Sequence, residues 1–397
     1  MASSSPSPSW VILSTVPQVS AAAAEAHPGR DVSLALAAPP SVTHLTVAPT
    51  VFAADPDPQA DIETPCVLAA DHSAGLFLVL APPSVTERPP TKARVWRGPD
   101  GVERTIHVGR VPKPACIVLD ATSGAASRVL DPDFLNASTV GVIAAPGGAG
   151  GRGYMVVEFQ NIVGCDEATL ICFSSETGEW FEADVGNPLP SWIWTFDDVI
   201  SHDGKLWWVD LAKGLLACDP FADQLDMAYV RLPKGGGGGH GGARHGCSYC
   251  SQRKRASRRF VQVSDGKFRC VEMSCPREGA PKFTMHTLLD PEAAEWRLEY
   301  CVSFAEIYDS YKAAGLPMPK KKAPKVAFIH PENPDVVYFF VKKYLFAVNM
   351  RTKKVVESEA REDGASSSPC VLAWKLPPAL TAGFSGSQPP ADGEEVC

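Results

Sequence analysis

Five times along the chain a turn rich in aspartate or glycine feeds a short apolar run, and a second apolar run ends in another such turn. This recurrence limits the fold more than any other feature. The copies open near residues 71, 151, 203, 265 and 334. The first runs from Asp71 through GLFLVLAP to ACIVLDATSG, and the second pairs GYMVVEF with TLICFSSETGEW. The third, DGKLWWVD followed by GLLACD over Asp203 to Asp219, is the most compact. SDGKFRCVEM with FTMHTLLDPEAAEW forms the fourth, and DVVYFFVKKYLFAVNMRTKKVVE, Asp335 to Glu357, the fifth. Turns of this kind between β-branched and aromatic runs predict antiparallel hairpins, because glycine and aspartate accept positive φ at low cost.

Within these runs the residues are apolar at successive positions, as in Tyr154 to Val157, Leu206 to Val209 and Val336 to Val341. A sheet wet on one face would alternate instead. Both faces of each hairpin must therefore be covered, and a radial array of small sheets does this by pressing each blade between its neighbours. The expected fold is all-β, a β-propeller-like array of antiparallel blades. Five repeats are visible, and strand candidates around Val32 to Leu36 and His44 to Phe52 leave room for a sixth blade. How the ring closes, and whether Trp10 to Val16 supplies a closing strand, stays open.

One inserted helix is expected. Ser303 and Glu306 have capping-box spacing, Phe304, Ile307, Tyr308 and Tyr311 share a helical face, and Gly315 and Pro317 stop it. Around Gly235 to Arg259, five consecutive glycines and a run of basic residues offer nothing to offset ordering entropy. The expected organisation is a disordered N-terminus over 1–9, the N-terminal part of the propeller over 10–233, a disordered glycine-rich and basic insertion over 234–259, the rest of the propeller over 260–376, and a disordered tail over 377–397.

The chain resembles the plant proteins carrying domain of unknown function 1618, a family expanded in grasses. The resemblance is most specific over DDVISHDGKLWWVDLAKGLLACDPFAD (Asp197 to Asp223), VQVSDGKFRCVEM (Val261 to Met273), WRLEYCVSF (Trp296 to Phe304) and VAFIHPENPDVVYFF (Val326 to Phe340). WVILSTVPQV, Trp10 to Val19, is similar to the family's opening strand. The resemblance implies no established activity. Relatives are sometimes joined to an F-box, and no F-box helix pattern precedes the first strand here.

With 397 residues, 45% of them hydrophobic and 21% charged, the chain has the composition of a globular protein, which excludes a disordered, collagenous or disulfide-stapled one. A formal net charge of -8 argues against a general polyanion binder. Twelve cysteines without a dense framework, and no signal-like start, point to reduced thiols and a cytoplasmic or nuclear protein. Cys116, Cys172, Cys218 and Cys301 are expected in the core. No apolar run reaches the roughly 18 residues that cross a bilayer.

His240, His245, Cys247 and Cys250, with Cys270 and Cys275 further on, have spacings compatible with zinc, but glycines and cationic residues surround them, and an unstructured insertion is preferred. The basic run Arg253 to Arg259 around Ser257, and Lys320 to Lys322, are dense enough for nuclear import, while the absence of interleaved aromatics disfavours nucleic acid. Gly148, Gly150 and Gly153 spell a dinucleotide fingerprint but lead into a strand, so they are read as a turn. Asn136 to Ser138 is a glycosylation sequon without an evident secretory route.

His72, His202, His286 and His330 are read as turn or core residues. Asp197, Asp198 and Asp203 are read as turn formers ahead of an acid and base pair. Trp192, Trp194, Trp207 and Trp208 are expected in the core or between blades, with one or two free to line a recognition surface.

No catalytic, cofactor-binding or metal residue is assigned and no cofactor is expected. The expected function is a non-enzymatic protein-interaction scaffold whose partner is another protein, with no membrane role. The alternatives are an enzyme using the central face of the propeller, and a nuclear regulatory protein touching nucleic acid through the basic loop.

Overall fold

A computed structural model of the chain describes residues 8–21, 29–58, 64–87, 92–97, 103–108, 114–129, 136–146, 153–233, 258–274, 280–316, 324–360 and 371–383. Five four-stranded antiparallel blades follow one another. Blade two is β5 (Cys66–Asp71), β6 (Leu76–Ala81), β9 (Ala115–Asp120) and β10 (Ala125–Val129), with the hairpin β7 (Lys92–Arg97) and β8 (Glu103–Val108) inserted between its second and third strands. Blade three is β11 (Val140–Ala144) to β14 (Glu179–Gly186), through β12 (Tyr154–Asn161) and β13 (Glu167–Ser174). Blade four is β15 (Asp198–His202), β16 (Lys205–Asp210), β17 (Gly214–Cys218) and β18 (Ala228–Arg231). Blade five is β19 (Arg259–Ser264), β20 (Lys267–Ser274), β21 (Lys282–Asp290) and β22 (Glu295–Ser303). Blade six is β23 (Lys325–Ile329), β24 (Val336–Val341), β25 (Tyr344–Asn349) and β26 (Lys354–Ala360).

The remaining blade, blade one, closes the ring. β27 (Val371–Lys375) pairs antiparallel with β1 (Trp10–Ser14) in a register running from Trp10 opposite Lys375 to Ser14 opposite Val371. β1 and the short β2 (Gln18–Val19) both run parallel to β4 (Val42–Val47), whose other edge takes β3 (Val32–Ala35). The two candidate strands of the sequence are thus β3 and β4 of this mixed blade, with β4 between β1 and β3. Backbone between Pro49 and Val51 is a 3-10 turn, so the second of them ends earlier than its apolar run.

Six apolar clusters show why successive residues are apolar. In β6, Phe77, Val79 and Ala81 pack toward blade one, and Leu76, Leu78 and Leu80 toward blade three. The other clusters join blades three and four, four and five, five and six, and six and one. Each blade therefore buries both faces, and six interfaces close a six-membered ring.

The topology sorts the connections. Within blades two to six, turns from first to second and from third to fourth strand fall on one end of the ring, the turn face. Connections from second to third strand, and from one blade to the next, fall on the other, the loop face. Turns on the turn face are tight: Asp203 and Gly204, and Asp265 and Gly266, all have φ between 50° and 71° in two-residue hairpins, the conformation that Asp-Gly favours. The loop face carries the β7–β8 hairpin, the described residues Pro233 and Arg258, and the helical connection after blade five.

That connection is the expected helix. Ser303 and Glu306 form the capping box, and a 3-10 turn, Phe304–Ile307, leads into α1 (Tyr308–Ala313), with Gly315 at φ 69° ending it. Phe304, Ile307 and Tyr311 are buried in the cluster between blades five and six. A second short helix, α2 (Pro378–Gly383), occupies residues expected to be tail, and Leu380 packs on the cluster between blades one and two. Arg259, expected at the end of the disordered insertion, is instead the buried first residue of β19. Among the described residues no helix is long and apolar enough to cross a membrane.

Candidate functional site

On the turn face, the wedge between blades five and six opens into a polar cleft of about 220 Å³. β20 contributes Lys267 and Arg269, β21 contributes Met285 and Thr287, and β22 contributes Arg297, Glu299 and Tyr300. Blade six supplies Pro334 and Asp335 from its first turn and Arg351 from its last. Alternation places Lys267 and Arg269 on the β20 face that presents Val271 to the core of this interface, so the cleft lies where that core gives way to polar groups.

Its side chains are held by one another. Arg269 is buried, donating from Nε to the Ser264 carbonyl at 3.3 Å and from Nη1 to the Thr287 hydroxyl, with Glu299 at 3.8 Å. Arg297 forks onto Glu299 Oε1 through Nε at 3.2 Å and Nη2 at 2.7 Å. Asp335 accepts from the Tyr300 hydroxyl in blade five, and from Arg351 Nε at 2.7 Å and Nη2 at 3.2 Å in blade six. The Arg351 fork holds the Asp335 carboxyl below its usual range, ahead of the Tyr300 bond and against the desolvation that opposes it. Burial is the largest influence on Glu299 and raises it, but its bonds and the charges of Arg297 and Arg269 outweigh burial and leave it lowered. Burial and the Asp335 bond push the Tyr300 phenol up to about 12. These shifts keep the Asp335 and Glu299 carboxyls ionised and the Tyr300 phenol protonated.

The loop face offers a different surface. Ile162 and Val163, in the β12–β13 connection, are 74% and 53% exposed, and Trp192 and Ile193, between blades three and four, are 38% and 59% exposed. A backbone bond from Gly164 to the Pro190 carbonyl, 2.6 Å, joins the two loops. The second loop is anchored below by a buried ion pair. Lys213 Nζ is 3.0 Å from Asp210 Oδ2, donates to the Ile193 carbonyl, and lies 5.4 and 5.6 Å from the Trp192 and Trp194 rings. Four apolar side chains are thus presented to solvent from a fixed base.

Arg259 joins blade five to blade four on the loop face. It pairs with Glu272 at 3.1 Å and donates to the Pro233 and Leu211 carbonyls at 2.9 and 3.3 Å. His240, His245, Cys247, Cys250 and Cys275, the basic residues 253–257 and Lys320 to Lys322 lie outside the described residues. So do Gly148 and Gly150, while Gly153 directly precedes β12.

Cys270 is described, and it is buried in β20 opposite His286. Burial pushes the Cys116 and Cys172 thiols up to about 12 and Cys218 to about 11. Cys301, expected in the core, is exposed: it lies on the outermost strand of blade five, where no neighbouring strand covers it.

The three aspartates read from the third repeat do not meet. Asp203 occupies the turn at one end of β15, while Asp197 and Asp198 stand at its other end, where Asp197 accepts from the Leu211 amide. Asp198 is open to solvent yet ringed by protein, and this enclosure, opposed by the Val199 amide and reinforced by Asp197, pushes its carboxyl up to about 6. His72, His202 and His330 follow or end innermost strands on the turn face, and burial lowers each, as it does His286. His330 Nδ1 accepts from the Glu332 and Asn333 amides, both at 3.1 Å, as a turn former. Asn136 likewise caps a 3-10 turn by accepting from the Ser138 amide.

Sequence reasoning missed the cleft because its residues come from two blades and five separate segments, and it named Trp192 for a recognition surface without its neighbours because Ile162 and Ile193 are thirty-one positions apart.

Residues 208–338 match the model of a family described as "Protein of unknown function (DUF1618)". No curated protein matches the chain. Among solved structures, a chain of the Mitotic Checkpoint Complex is similar at 11% identity and a TM-score of 0.32, over 77% of this chain and 71% of that one. The β-propeller domain of Myceliophteria thermophila Cps50 (Swd1) is similar at 10% identity and a TM-score of 0.31, over 73% and 98%. The GH93 alpha-L-arabinofuranosidase of Fusarium graminearum is similar at 12% identity and 0.30, over 68% and 82%. At these scores they add nothing to the ring read from the chain's own strand pairing.

Proposed function

We propose that this chain, a member of the domain of unknown function 1618 family through residues 208–338, is a non-enzymatic scaffold that holds another protein on the loop face of its propeller. The observation that carries the reading is the joined pair of loops presenting Ile162, Val163, Trp192 and Ile193. Isolated apolar residues on a surface are ordinary, but four on two hydrogen-bonded loops over a buried ion pair form a pre-organised apolar anchor site. The partner contributes an apolar segment.

The test is site-directed photo-crosslinking in native extract. A photoreactive residue replacing Ile193 should capture a distinct protein, a replacement of Glu176 on the turn face should not, and Val163→Asp should abolish the Ile193 adduct. Equal capture from both faces, an adduct with a second copy of this chain, or an adduct indifferent to Val163→Asp would each overturn the reading.

A further inference from the structure

The cleft between blades five and six carries an unbalanced charge. Four cations, Lys267, Arg269, Arg297 and Arg351, line it against three carboxylates, Asp265, Glu299 and Asp335. One positive charge is therefore left over, in a chain whose formal net charge is -8. The donors are not exhausted either. Arg297 and Arg351 each grip a carboxylate through Nε and Nη2, and Arg351 also bonds Tyr300, yet a guanidinium has five N–H donors and each keeps some to spare. Both side chains are well exposed, 60% and 71%, so those donors are within reach of a ligand. Tyr300, Asp335 and Arg351 tie the two blades across one side of the cleft, which fixes its width.

We propose that this cleft binds a single carboxylate, the acidic side chain of a partner polypeptide. Charge decides the class: one carboxylate neutralises the surplus, whereas a phosphate near its dianionic form would leave the site negative. A half-open cleft of about 220 Å³ at the blade edge has room for an acidic side chain projecting from a polypeptide, and competition with a free acid tests that source. Binding occurs on the turn face, so it stands whether or not the loop face holds a partner.

The experiment is fluorescence anisotropy of a labelled tetraglutamate peptide titrated with the full chain at low salt. Lys267→Gln combined with Arg297→Gln should weaken binding at least about tenfold, since exposed cations are lost while the buried Arg269 network stays. Lys312→Gln combined with Lys343→Gln, on the loop face, should leave it unchanged, and so should Val163→Asp, which separates this site from the loop surface. A thermal melt of each variant shows that the fold is kept.

Binding indifferent to the Lys267 and Arg297 changes overturns the site, as does no measurable binding. Free glutarate competing as well as the peptide overturns the polypeptide source. A phosphoserine peptide binding more tightly than the glutamate peptide overturns the choice of carboxylate.

Discussion

Asp71 and Ser201 are 130 residues apart, and the Ser201 hydroxyl donates to Asp71 Oδ2 at 2.9 Å. The same oxygen accepts from the Ala144 amide at 2.9 Å, while Oδ1 takes the Ser73 amide and hydroxyl and the Ala74 amide. One buried carboxylate therefore shapes its own turn and ties the innermost strands of blades two, three and four together. Asp71→Asn keeps the shape but sets an amide against the Ala144 donor. Because hydrogen bonds to a charged group contribute about 1.5–3 kcal/mol each, urea denaturation should show a loss of at least about 2 kcal/mol. A change within error would mean that the three blades hold without it.

Gly141 tests the blade interface. A Cβ there would lie 2.6 Å from Val199 Cγ1 and 2.9 Å from Leu206 Cδ2, across the gap between blades three and four. Gly141→Ala should cost about 1–3 kcal/mol by overpacking, measured by chemical denaturation. Stabilisation would show that the gap is looser than its distances.

Lys213 tests the anchor beneath the loop surface. Lys213→Met leaves Asp210 buried without its cation, and removing one partner of a buried pair costs about 3–5 kcal/mol. Release of the 190–194 segment should also raise acrylamide quenching of tryptophan fluorescence. Unchanged quenching would mean that the loop is held by its apolar contacts alone.

Asp198 makes stability depend on pH. Its carboxyl is raised to about 6 in the fold, so the folded state holds the proton more tightly than the unfolded chain, and its favourable contribution, complete at pH below about 4, is lost as pH rises through 6. Asp198→Asn removes that loss. The variant should melt about 1–2 °C above the parent at pH 7.5, since solvent contact reduces the effect to under about 1 kcal/mol, and level with it at pH 4. An equal difference at both pH values would assign the effect to something other than ionisation.

The hairpins were legible because their cause is local. Asp203-Gly204 and Asp265-Gly266 name their own turn type, and the unbroken apolar runs at Leu206 to Val209 and Val336 to Val341 announce two covered faces. The capping box at Ser303 and Glu306 was legible for the same reason. Cys301 was misread because an apolar neighbourhood in sequence does not say whether a strand is inner or outer, and β22 is outer.

By itself, then, the order of residues determined the strands, their turns and the requirement that each hairpin be buried on both sides, since these depend on backbone preference and on side-chain period. Only the tertiary structure decided that Trp10 to Ser14 meets Val371 to Lys375 to close a sixth blade, and that Lys267, Arg297 and Arg351 share one cleft. Such relationships come from the number of blades that fit around the axis and the twist between them, which is a balance struck by all six apolar interfaces together and written in no single segment.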